Sequence, residues 1–505
     1  MKKTLFATVS AAAIMIAAPS AAQTVTQSGA SNESTVTQAG DENTAYVLQN
    51  QSQQTGTISQ TGKKHSARVL QGEGGAVTTV GNTGTITQKA RADGAGRAEG
   101  EIRQESNNNT ATIDQTGEGR VDINQGINNN FMTGGSNTAT VIQTDLNSTN
   151  ANTGTTRNVA GIVQEGSRNF AKTTQTGDAN IALLKQGAAF GNDAQSDNSS
   201  IFDQTGQDNV FDAQQNGVGN ILNASQLGDD NVLDAVQLGT GNSAELRQSG
   251  NSNEAAVRQD GTQNSAIVLQ TVGNNDVGDP LPDGTPGPSN ANGAVNGTTF
   301  TPRSVGLNQK GFKNDAYISQ SGGGKAIIDQ IGDRNFSGVV QSGLEAQFYV
   351  TQKGNDNKVT KTLDANENVT QNGAGAKITV DQSGGNKNQA VLAQIGGNAV
   401  IDVDQVGNSN VARTTQSPNA ANATSTIAQT GDFNRAEVTQ ASFASSSITQ
   451  SGNYHEADVS QGANSYSFIS QTGGNTNKAT VTQGDSDWSS VTQTGSLNTA
   501  TVTQK

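Results

Sequence analysis

A glutamine recurs every 11 residues over long stretches of the chain, and this spacing constrains the fold more than any other feature. Gln27, Gln38, Gln49 and Gln60 stand 11 apart, and the spacing resumes in later segments up to Gln504. An internal period is typical of repeat architectures, in which each unit buries its apolar face only by stacking on its neighbours. The sequence therefore predicts a repeat protein rather than a string of ordinary globular domains.

The residues between successive glutamines repeat as well. The copy nearest the C-terminus consists of Gln493, Gly495, Asn498, Ala500, Val502 and Gln504. Successive strand side chains alternate between two faces, so the asparagine, alanine, valine and final glutamine share one face, predicted to point inward. Thr499, Thr501 and Thr503 share the other face. The glycine and the residues before the asparagine are predicted to form the turn, because glycine adopts positive φ and asparagine tolerates it.

Towards the C-terminus, full copies of this pattern alternate with plainer, serine-rich segments that end in Ile448, Ile469 and Val491. The complete repeat is therefore about 22 residues, with two strands and two turns, and one such unit cannot bury its inner face alone. The sequence predicts an all-β fold, a β-solenoid of stacked two-strand coils with amyloid-like cross-β stacking. Glutamine then lies over glutamine and asparagine over asparagine, and the stacked amides satisfy buried polar groups that would otherwise be costly.

The residues predicted to form these ladders are structural, and none carries bond-making chemistry. They are Gln27, Gln38, Gln49, Gln60, Gln164, Asn169, Gln226, Asn231, Gln237, Asn242, Gln248, Gln429, Asn434, Gln440, Gln493, Asn498, Val502 and Gln504.

The pattern Gln-x-Gly-x-x-Asn-x-Ala-x-Val-x-Gln, as it stands at Gln429 to Gln440 and Gln493 to Gln504, resembles the curlin repeat of curli, the extracellular amyloid fibres of bacteria. The resemblance implies a subunit that is secreted and passes a dedicated outer-membrane pore unfolded. It also implies polymerisation with itself and with other curlin-like subunits into adhesive, biofilm-forming fibres at the cell surface. The chain carries many more copies than the handful usual in curlin subunits. Whether it is a major subunit, a nucleator or an accessory member is left open.

Residues 1–22 are predicted to be a secretory signal peptide. Lys2 and Lys3 give a positive start, residues 5–18 are largely apolar, and Ser20, Ala21 and Ala22 form a small-residue cleavage site. A membrane anchor is the weaker alternative, because the apolar stretch is short for a bilayer span. The remainder is predicted to be exported without membrane insertion.

A proline-rich segment interrupts the glutamine spacing. Residues 271–308 are rich in Pro, Gly and Asn and are predicted to be an insertion between two repeat blocks, 23–270 and 309–505. Proline lacks the amide hydrogen that a strand ladder needs. Asp276, Asp279 and Asp283 lack the regular ligand spacing of a calcium loop, so a plain flexible insertion is expected.

Charge and composition argue against several functions. The net charge of −14 is unfavourable for binding nucleic acid or anionic lipid. The chain has no cysteine and two histidines, His65 and His455, which are expected to be turn or surface residues. The acidic pair Asp229 and Asp230 is expected to be a solvated turn. No catalytic, cofactor-binding or metal site is predicted, and the protein is not expected to be an enzyme.

Two non-enzymatic alternatives to a fibre subunit remain. A monomeric β-solenoid could act as a surface adhesin that presents its loops. A threonine-rich outer face could bind ice, although many copies carry mixed residues there, such as Arg435, Glu437 and Thr439. The repeat pattern continues to Gln504, so the last coil is expected to expose unpaired backbone groups that template the addition of another subunit.

Overall fold

The structure, a computed structural model, describes residues 22–72, 80–90, 97–126, 135–145, 157–187, 196–271, 276–277, 306–362, 366–418 and 420–505. The predicted signal peptide lies outside the described residues except for Ala22. So does the predicted insertion, except for Thr271, 276–277 and 306–308. The chain divides into two compact units: unit 1 is Met1–Gly241 with Asn290–Thr301, and unit 2 is Asn242–Ser289 with Pro302–Lys505.

The described part of unit 1 is built from strands joined by short turns. They are β1 (Ala22–Gln27), β2 (Glu33–Ala39), β3 (Thr44–Gln49), β4 (Thr55–Thr61), β5 (Ser66–Gln71), β6 (Thr83–Lys89), β7 (Ala98–Gln104), β8 (Thr110–Thr116), β9 (Gly119–Gln125), β10 (Thr138–Thr144), β11 (Asn158–Gln164), β12 (Phe170–Thr176), β13 (Ile181–Gly187), β14 (Ser199–Thr205), β15 (Val210–Val218), β16 (Ile221–Leu227) and β17 (Val232–Thr240).

The strands of unit 2 are β18 (Ser243–Ser249), β19 (Glu254–Thr262), β20 (Ser265–Thr271), β21 (Asp276–Val277), β22 (Leu307–Phe312), β23 (Asp315–Gln320), β24 (Lys325–Ile331), β25 (Phe336–Gln341), β26 (Gln347–Lys353), β27 (Lys358–Thr360), β28 (Val369–Gln371), β29 (Lys377–Gln382), β30 (Gln389–Gln394), β31 (Val400–Val406), β32 (Val411–Gln416), β33 (Thr424–Thr430), β34 (Arg435–Gln440), β35 (Ser445–Asn453), β36 (Glu456–Gln461), β37 (Tyr466–Asn475), β38 (Lys478–Gln483), β39 (Trp488–Thr494) and β40 (Thr499–Thr503).

Unit 1 consists of two parallel sheets. The odd-numbered strands β1 to β17 form one sheet and the even-numbered strands β2 to β16 the other, because each strand pairs with the strand two places along the chain. Equivalent repeat positions lie opposite each other in these pairs, as in Val25 opposite Val47 and Gln27 opposite Gln49. Two consecutive strands therefore make one coil, and successive coils stack in register.

Unit 2 has the same construction. One sheet contains β19, β24, β26, β29, β31, β33, β35, β37 and β39, and the other contains β18, β20, β23, β25, β30, β32, β34, β36, β38 and β40. At two places, two consecutive strands together occupy the position of one strand in the sheet. Strands β21 and β22 lie between β19 and β24, and β27 and β28 lie between β25 and β30. The glutamine register is retained at both places.

Burial alternates along the strands as the period of two predicts. In β3, Ala45, Val47 and Gln49 are buried, whereas Thr44 is exposed and Tyr46 is half-buried. The core of a typical coil is therefore a thin layer of alanine, a branched aliphatic residue and glutamine from both sheets, and in some coils phenylalanine, serine, threonine or glycine replaces one of these. The predicted all-β solenoid of stacked two-strand coils is confirmed within each unit. In the part of the chain that the structure describes, no helix has the length and apolar character needed to span a membrane.

Many of the turns, though not all, adopt left-handed conformations at two positions. Between β33 and β34, Gly431 has φ of 109° and Phe433 has φ of 59°. The asparagine that follows, Asn434, is outside this region, so the sequence-based assignment of positive φ to the asparagine was wrong. The residue before it adopts positive φ even when it is bulky, because its N–H donates to the carbonyl oxygen of Asn408 in the stacked turn, at 2.9 Å. The stacked turns thus impose a conformation that the side chain alone disfavours.

Candidate functional site: the amide columns

Unit 1 contains two columns of stacked glutamine side chains, one on each sheet. In each column the Nε2 of one glutamine donates to the Oε1 of the glutamine in the next coil, at distances of 2.6 to 3.0 Å. The odd-strand column is Gln27, Gln49, Gln71, Gln104, Gln125, Gln164, Gln186, Gln215 and Gln237. The even-strand column is Gln38, Gln60, Gln88, Gln115, Gln143, Gln175, Gln204 and Gln226.

Unit 2 contains two more columns of the same kind. The first is Gln259, Gln309, Gln330, Gln352, Gln382, Gln405, Gln429, Gln450, Gln471 and Gln493. The second is Gln248, Gln270, Gln320, Gln341, Gln371, Gln394, Gln416, Gln440, Gln461, Gln483 and Gln504. Gln259 bonds directly to Gln309 at 2.9 Å, so the column runs past the segment that separates these residues in the sequence.

In all four columns the hydrogen bonds follow the order of the coils along the chain. Within a column, Nε2 donates towards the coil that follows in the chain, and in many members the same nitrogen also donates to a backbone carbonyl oxygen of the opposite sheet. Gln49 Nε2, for example, lies 3.0 Å from Gln71 Oε1 and 2.9 Å from the carbonyl oxygen of Glu33. A carbonyl oxygen can only accept, so this second contact requires nitrogen at that position and fixes the orientation of the amide.

Because the hydrogen bonds of a column run one way, the first and last described coils expose different amide groups. At the first coil, the buried Oε1 of Gln38 has no hydrogen-bond partner among the described residues. At the last coil, Nε2 of Gln493 donates to the carbonyl oxygen of Lys478 at 2.9 Å, and Nε2 of Gln504 to that of Trp488 at 3.1 Å. A primary amide has two hydrogens, so each of these nitrogens has a second donor position. The first coil thus presents acceptors and the last coil donors.

Asparagines form further columns at the turns. The Oδ1 of Asn410 accepts the backbone N–H of Asn434 at 3.0 Å, and Asn434 Nδ2 donates to the carbonyl oxygen of Gly452 at 2.8 Å. Each asparagine therefore links the coil before it to the coil after it. Because these groups are buried, leaving one unpaired would cost about 1 to 3 kcal/mol.

The remaining predicted asparagines occupy the same position. The backbone N–H groups of Asn169, Asn231 and Asn498 donate to the Oδ1 atoms of Asn137, Asn209 and Asn477, at 3.0 Å in each case. Asn242 Nδ2 donates to the carbonyl oxygen of Gly261 at 3.1 Å. Val502 lies inward and opposite Val481, and in this last coil it is half-buried.

Both histidines lie in these turn columns, so the expectation of turn residues is confirmed, whereas the alternative of surface residues was wrong. His65 and His455 are buried, and each stands five residues after a column glutamine, Gln60 or Gln450, where other copies have asparagine. Alignment of the repeats on glutamine was the signal that could have revealed this. Burial lowers the pKa of both imidazoles, and the hydrogen bonds from the rings to the carbonyl oxygens of Thr61 and Ser451 oppose that shift more weakly.

The outward faces of the strands differ from coil to coil. Thr499, Thr501 and Thr503 are exposed on β40. Arg435 is exposed on β34 and forms ion pairs with Glu437 at 2.6 Å and with Glu456 at 2.9 Å. Such exposed pairs contribute little to stability, about 0 to 1 kcal/mol each. The outer faces therefore vary without disturbing the columns inside.

Acidic residues of the turns form hydrogen bonds with the backbone of the stacked turn. Asp229 Oδ1 accepts the N–H of Gln207 in the stacked turn at 2.8 Å, and Asp230 is exposed with φ of 57°. Within the described ranges, no group of three or more histidine, aspartate or glutamate side chains is arranged to hold a metal ion.

A family described as the curlin associated repeat matches residues 24–50, 228–261 and 250–277. These segments include column residues of both units, from Gln27 and Gln49 to Gln248 and Gln259. No curated protein matches the chain.

Proposed function

We propose that this curlin-repeat protein is a structural subunit of extracellular, curli-type functional amyloid fibres. The observation that carries the proposal is the one-way direction of the amide columns, which gives the first and last described coils complementary acceptors and donors. A second copy of the chain can then continue the hydrogen bonding of the first by adding its first coil to the last coil.

The repeat pattern defines the register of this contact. Strand β1 of one copy continues the sheet of β39 in another, which sets Gln27 opposite Gln493 and Val25 opposite Val491. Strand β2 continues the sheet of β40 in the same way. Val25 is 43% exposed in the first coil, whereas its stacked equivalent Val47 is fully buried. Addition of a copy would bury Val25 and remove the open strand edges, which ordinary proteins protect by other means.

The proposal is tested with variants that block either the first coil or the last coil, but not both. In the variant Gln38→Lys, a cationic donor replaces the acceptor of the first coil, and in Gln504→Glu an anionic acceptor replaces the donor of the last coil. Each variant retains the opposite end intact. Each should therefore join wild-type fibres once and then stop their growth, so that small molar fractions shorten the fibres in seeded growth followed with an amyloid dye.

Matched controls come from the outward neighbours, Thr37→Lys and Thr503→Glu, which add the same charges beside the same positions. They should polymerise far better than the column variants. Equal inhibition by all four variants would contradict a contact through the columns. A soluble, dye-negative wild-type protein would favour the monomeric adhesin.

The proposed biological role is adhesion and biofilm formation after export through a dedicated outer-membrane pore, with self and other curlin-like subunits as partners. Cells with and without the protein would be compared for surface attachment, dye staining and detergent-resistant protein. Loss of all three in the deletion strain is expected. Attachment lost while the protein remains soluble and dye-negative would instead support the adhesin.

A specific observation favours ice binding as a second candidate function. Outward threonines of four even strands, Thr57, Thr85, Thr112 and Thr140, lie in register, and each is preceded two residues earlier by another threonine. Such a regular hydroxyl array could order water. Thermal hysteresis of the soluble chain that is abolished by Thr85→Lys would support this function, and the absence of thermal hysteresis would exclude it.

A further inference from the structure

His65 and His455 replace asparagine in the turn columns and take over its hydrogen bonds. The Nδ1 of His65 accepts the backbone N–H of Ala98 in the next coil at 3.2 Å, as Nδ1 of His455 accepts that of Asn477 at 3.2 Å. In other coils the Oδ1 of asparagine accepts this N–H, for example Asn109 Oδ1 from Asn137 at 3.1 Å.

The second ring nitrogen fixes the protonation state. Nε2 lies 3.2 Å from the carbonyl oxygen of Thr61 in His65, and 3.3 Å from that of Ser451 in His455. A carbonyl oxygen only accepts, so Nε2 carries the hydrogen and Nδ1 is the acceptor. Each ring is therefore neutral and, unlike asparagine, can lose its acceptor by taking up a proton.

We propose that His65 and His455 are acid-sensitive joints of the solenoid, at which protonation of Nδ1 opens the contact with the next coil. If Nδ1 took up a proton, its N–H group would point at the backbone N–H of Ala98 in the case of His65, or of Asn477 in the case of His455, and two donors cannot form a hydrogen bond. The donor of the backbone amide would then be buried without a partner, or the turn would move to expose it. Neither joint depends on fibre formation, because both contacts lie within one chain.

The charged groups around His65 pair with each other at the surface. On the turns stacked beside it, Lys63 pairs with Asp41 at 3.3 Å and Lys64 with Glu42 at 3.8 Å, all largely exposed.

Arg97 and Glu99 flank Ala98 and form an ion pair at 2.8 Å, and Lys89 is exposed at the end of β6. These groups are paired or solvated, and burial dominates the lowered pKa of His65. The ring therefore resists protonation in the folded coil.

His455 has a denser charged neighbourhood on the outer face. Glu456 pairs with Arg435 at 2.9 Å and with Lys478 at 3.0 Å, and Asp458 lies 3.6 Å from Arg435. On the preceding turn, Asp432 accepts the backbone N–H of Asn408 at 2.7 Å. Glu437 completes the set through its ion pair with Arg435 at 2.6 Å. Burial again dominates the lowered pKa of His455.

The sign of the pH effect follows from these contacts. The folded pKa is depressed below the ordinary value of 6.5, so the closed joint is at full strength above pH 6.5 and weakens as the pH falls below it. Opening becomes more favourable by at most about tenfold per pH unit at each joint, until the folded pKa is reached. Buried carboxyls with raised pKa act in the opposite sense.

Hydrogen exchange of individual amides in the full chain tests the proposal. The amides of Ala98 and Asn477 should lose protection as the pH falls from 7 to 5, by up to about tenfold per unit after correction for intrinsic exchange. The amides of Asn137 and Asn498, which bond to asparagine side chains, should not. In the variants His65→Asn and His455→Asn the effect should disappear, since asparagine occupies this position in other coils.

Two results would overturn the proposal. One is an unchanged pH dependence at Ala98 and Asn477 in the asparagine variants. The other comes from the wild-type chain alone: nitrogen NMR of the imidazoles that finds hydrogen on Nδ1 at neutral pH would remove the acceptor on which the joint depends. This second measurement requires no variant to fold.

Discussion

Gln371 offers a direct measure of what one amide contributes to a column. Its Oε1 accepts from Gln341 Nε2 at 2.7 Å, and its Nε2 donates to Gln394 Oε1 at 2.9 Å and to the carbonyl oxygen of Ala376 at 3.1 Å. The substitution Gln371→Leu keeps a side chain of similar size but removes all of these hydrogen bonds. We expect it to weaken the coils on both sides.

The magnitude follows from the groups left behind. The Nε2 hydrogen of Gln341 and the Oε1 of Gln394 both lose their partner in a buried environment, at about 1 to 3 kcal/mol each. The sum of about 2 to 6 kcal/mol corresponds to roughly 30-fold to 25,000-fold faster exchange of amides that exchange through local opening. Leucine would recover part of this by apolar burial, so the lower half of the range is expected.

The assay is hydrogen exchange in strands β25 and β30, which pair with β28. The control is Thr370→Leu, which adds the same side chain at the adjacent, outward-facing position and should change stability by no more than about 0.5 kcal/mol. Equal effects of the two variants would show that the columns do not stabilise the fold beyond ordinary packing.

Three further predictions follow from particular contacts. Gly206→Ala should open the local stack, because a Cβ would collide with the carbonyl oxygen of Gly228. In Gly219→Ala the added Cβ meets nothing within 4 Å, so this variant should be destabilised only by the roughly 1 to 2 kcal/mol of left-handed backbone strain. Hydrogen exchange in the adjoining strands measures the effect of both variants. Burial raises the pKa of Asp212 from an ordinary 3.8 to about 6. The stability of β15 should therefore fall as the pH rises from about 3.8 to about 6. The variant Asp212→Asn should abolish this pH dependence in the same hydrogen-exchange experiment. Replacement of residues 278–305 by a short Gly-Ser link should leave exchange in β19 and β24 unchanged, since loop length costs little; faster exchange would assign the segment a structural role.

The strand pattern and the inner face could be predicted from sequence because both depend only on local alternation. Val438 and Gln440 are inward because they stand two residues apart on one strand, and no tertiary information is needed to place them. The stacking partner followed from the period, since equivalent residues of successive coils must meet.

Other features depended on the neighbouring coil and could not be read in this way. The positive φ of Phe433 is imposed by the turn stacked on it, against the preference of its side chain. The direction of the amide of Gln49 is fixed by the carbonyl oxygen of Glu33 on the opposite sheet, 16 residues away in the sequence. The role of His65 required recognition of a histidine in an asparagine position.

The common direction of the columns also has an electrical consequence. Each primary amide carries a dipole, and in a column the dipoles point the same way and polarise one another through their hydrogen bonds. Within unit 1, for example, the summed dipole of the column from Gln27 to Gln237 has its negative end at Gln27, towards which the amide oxygens point. Each unit therefore carries a permanent moment along its stacked amides, as a helix does along its peptide groups. A suspension of such molecules should turn in an applied field, and transient electric birefringence would measure that moment.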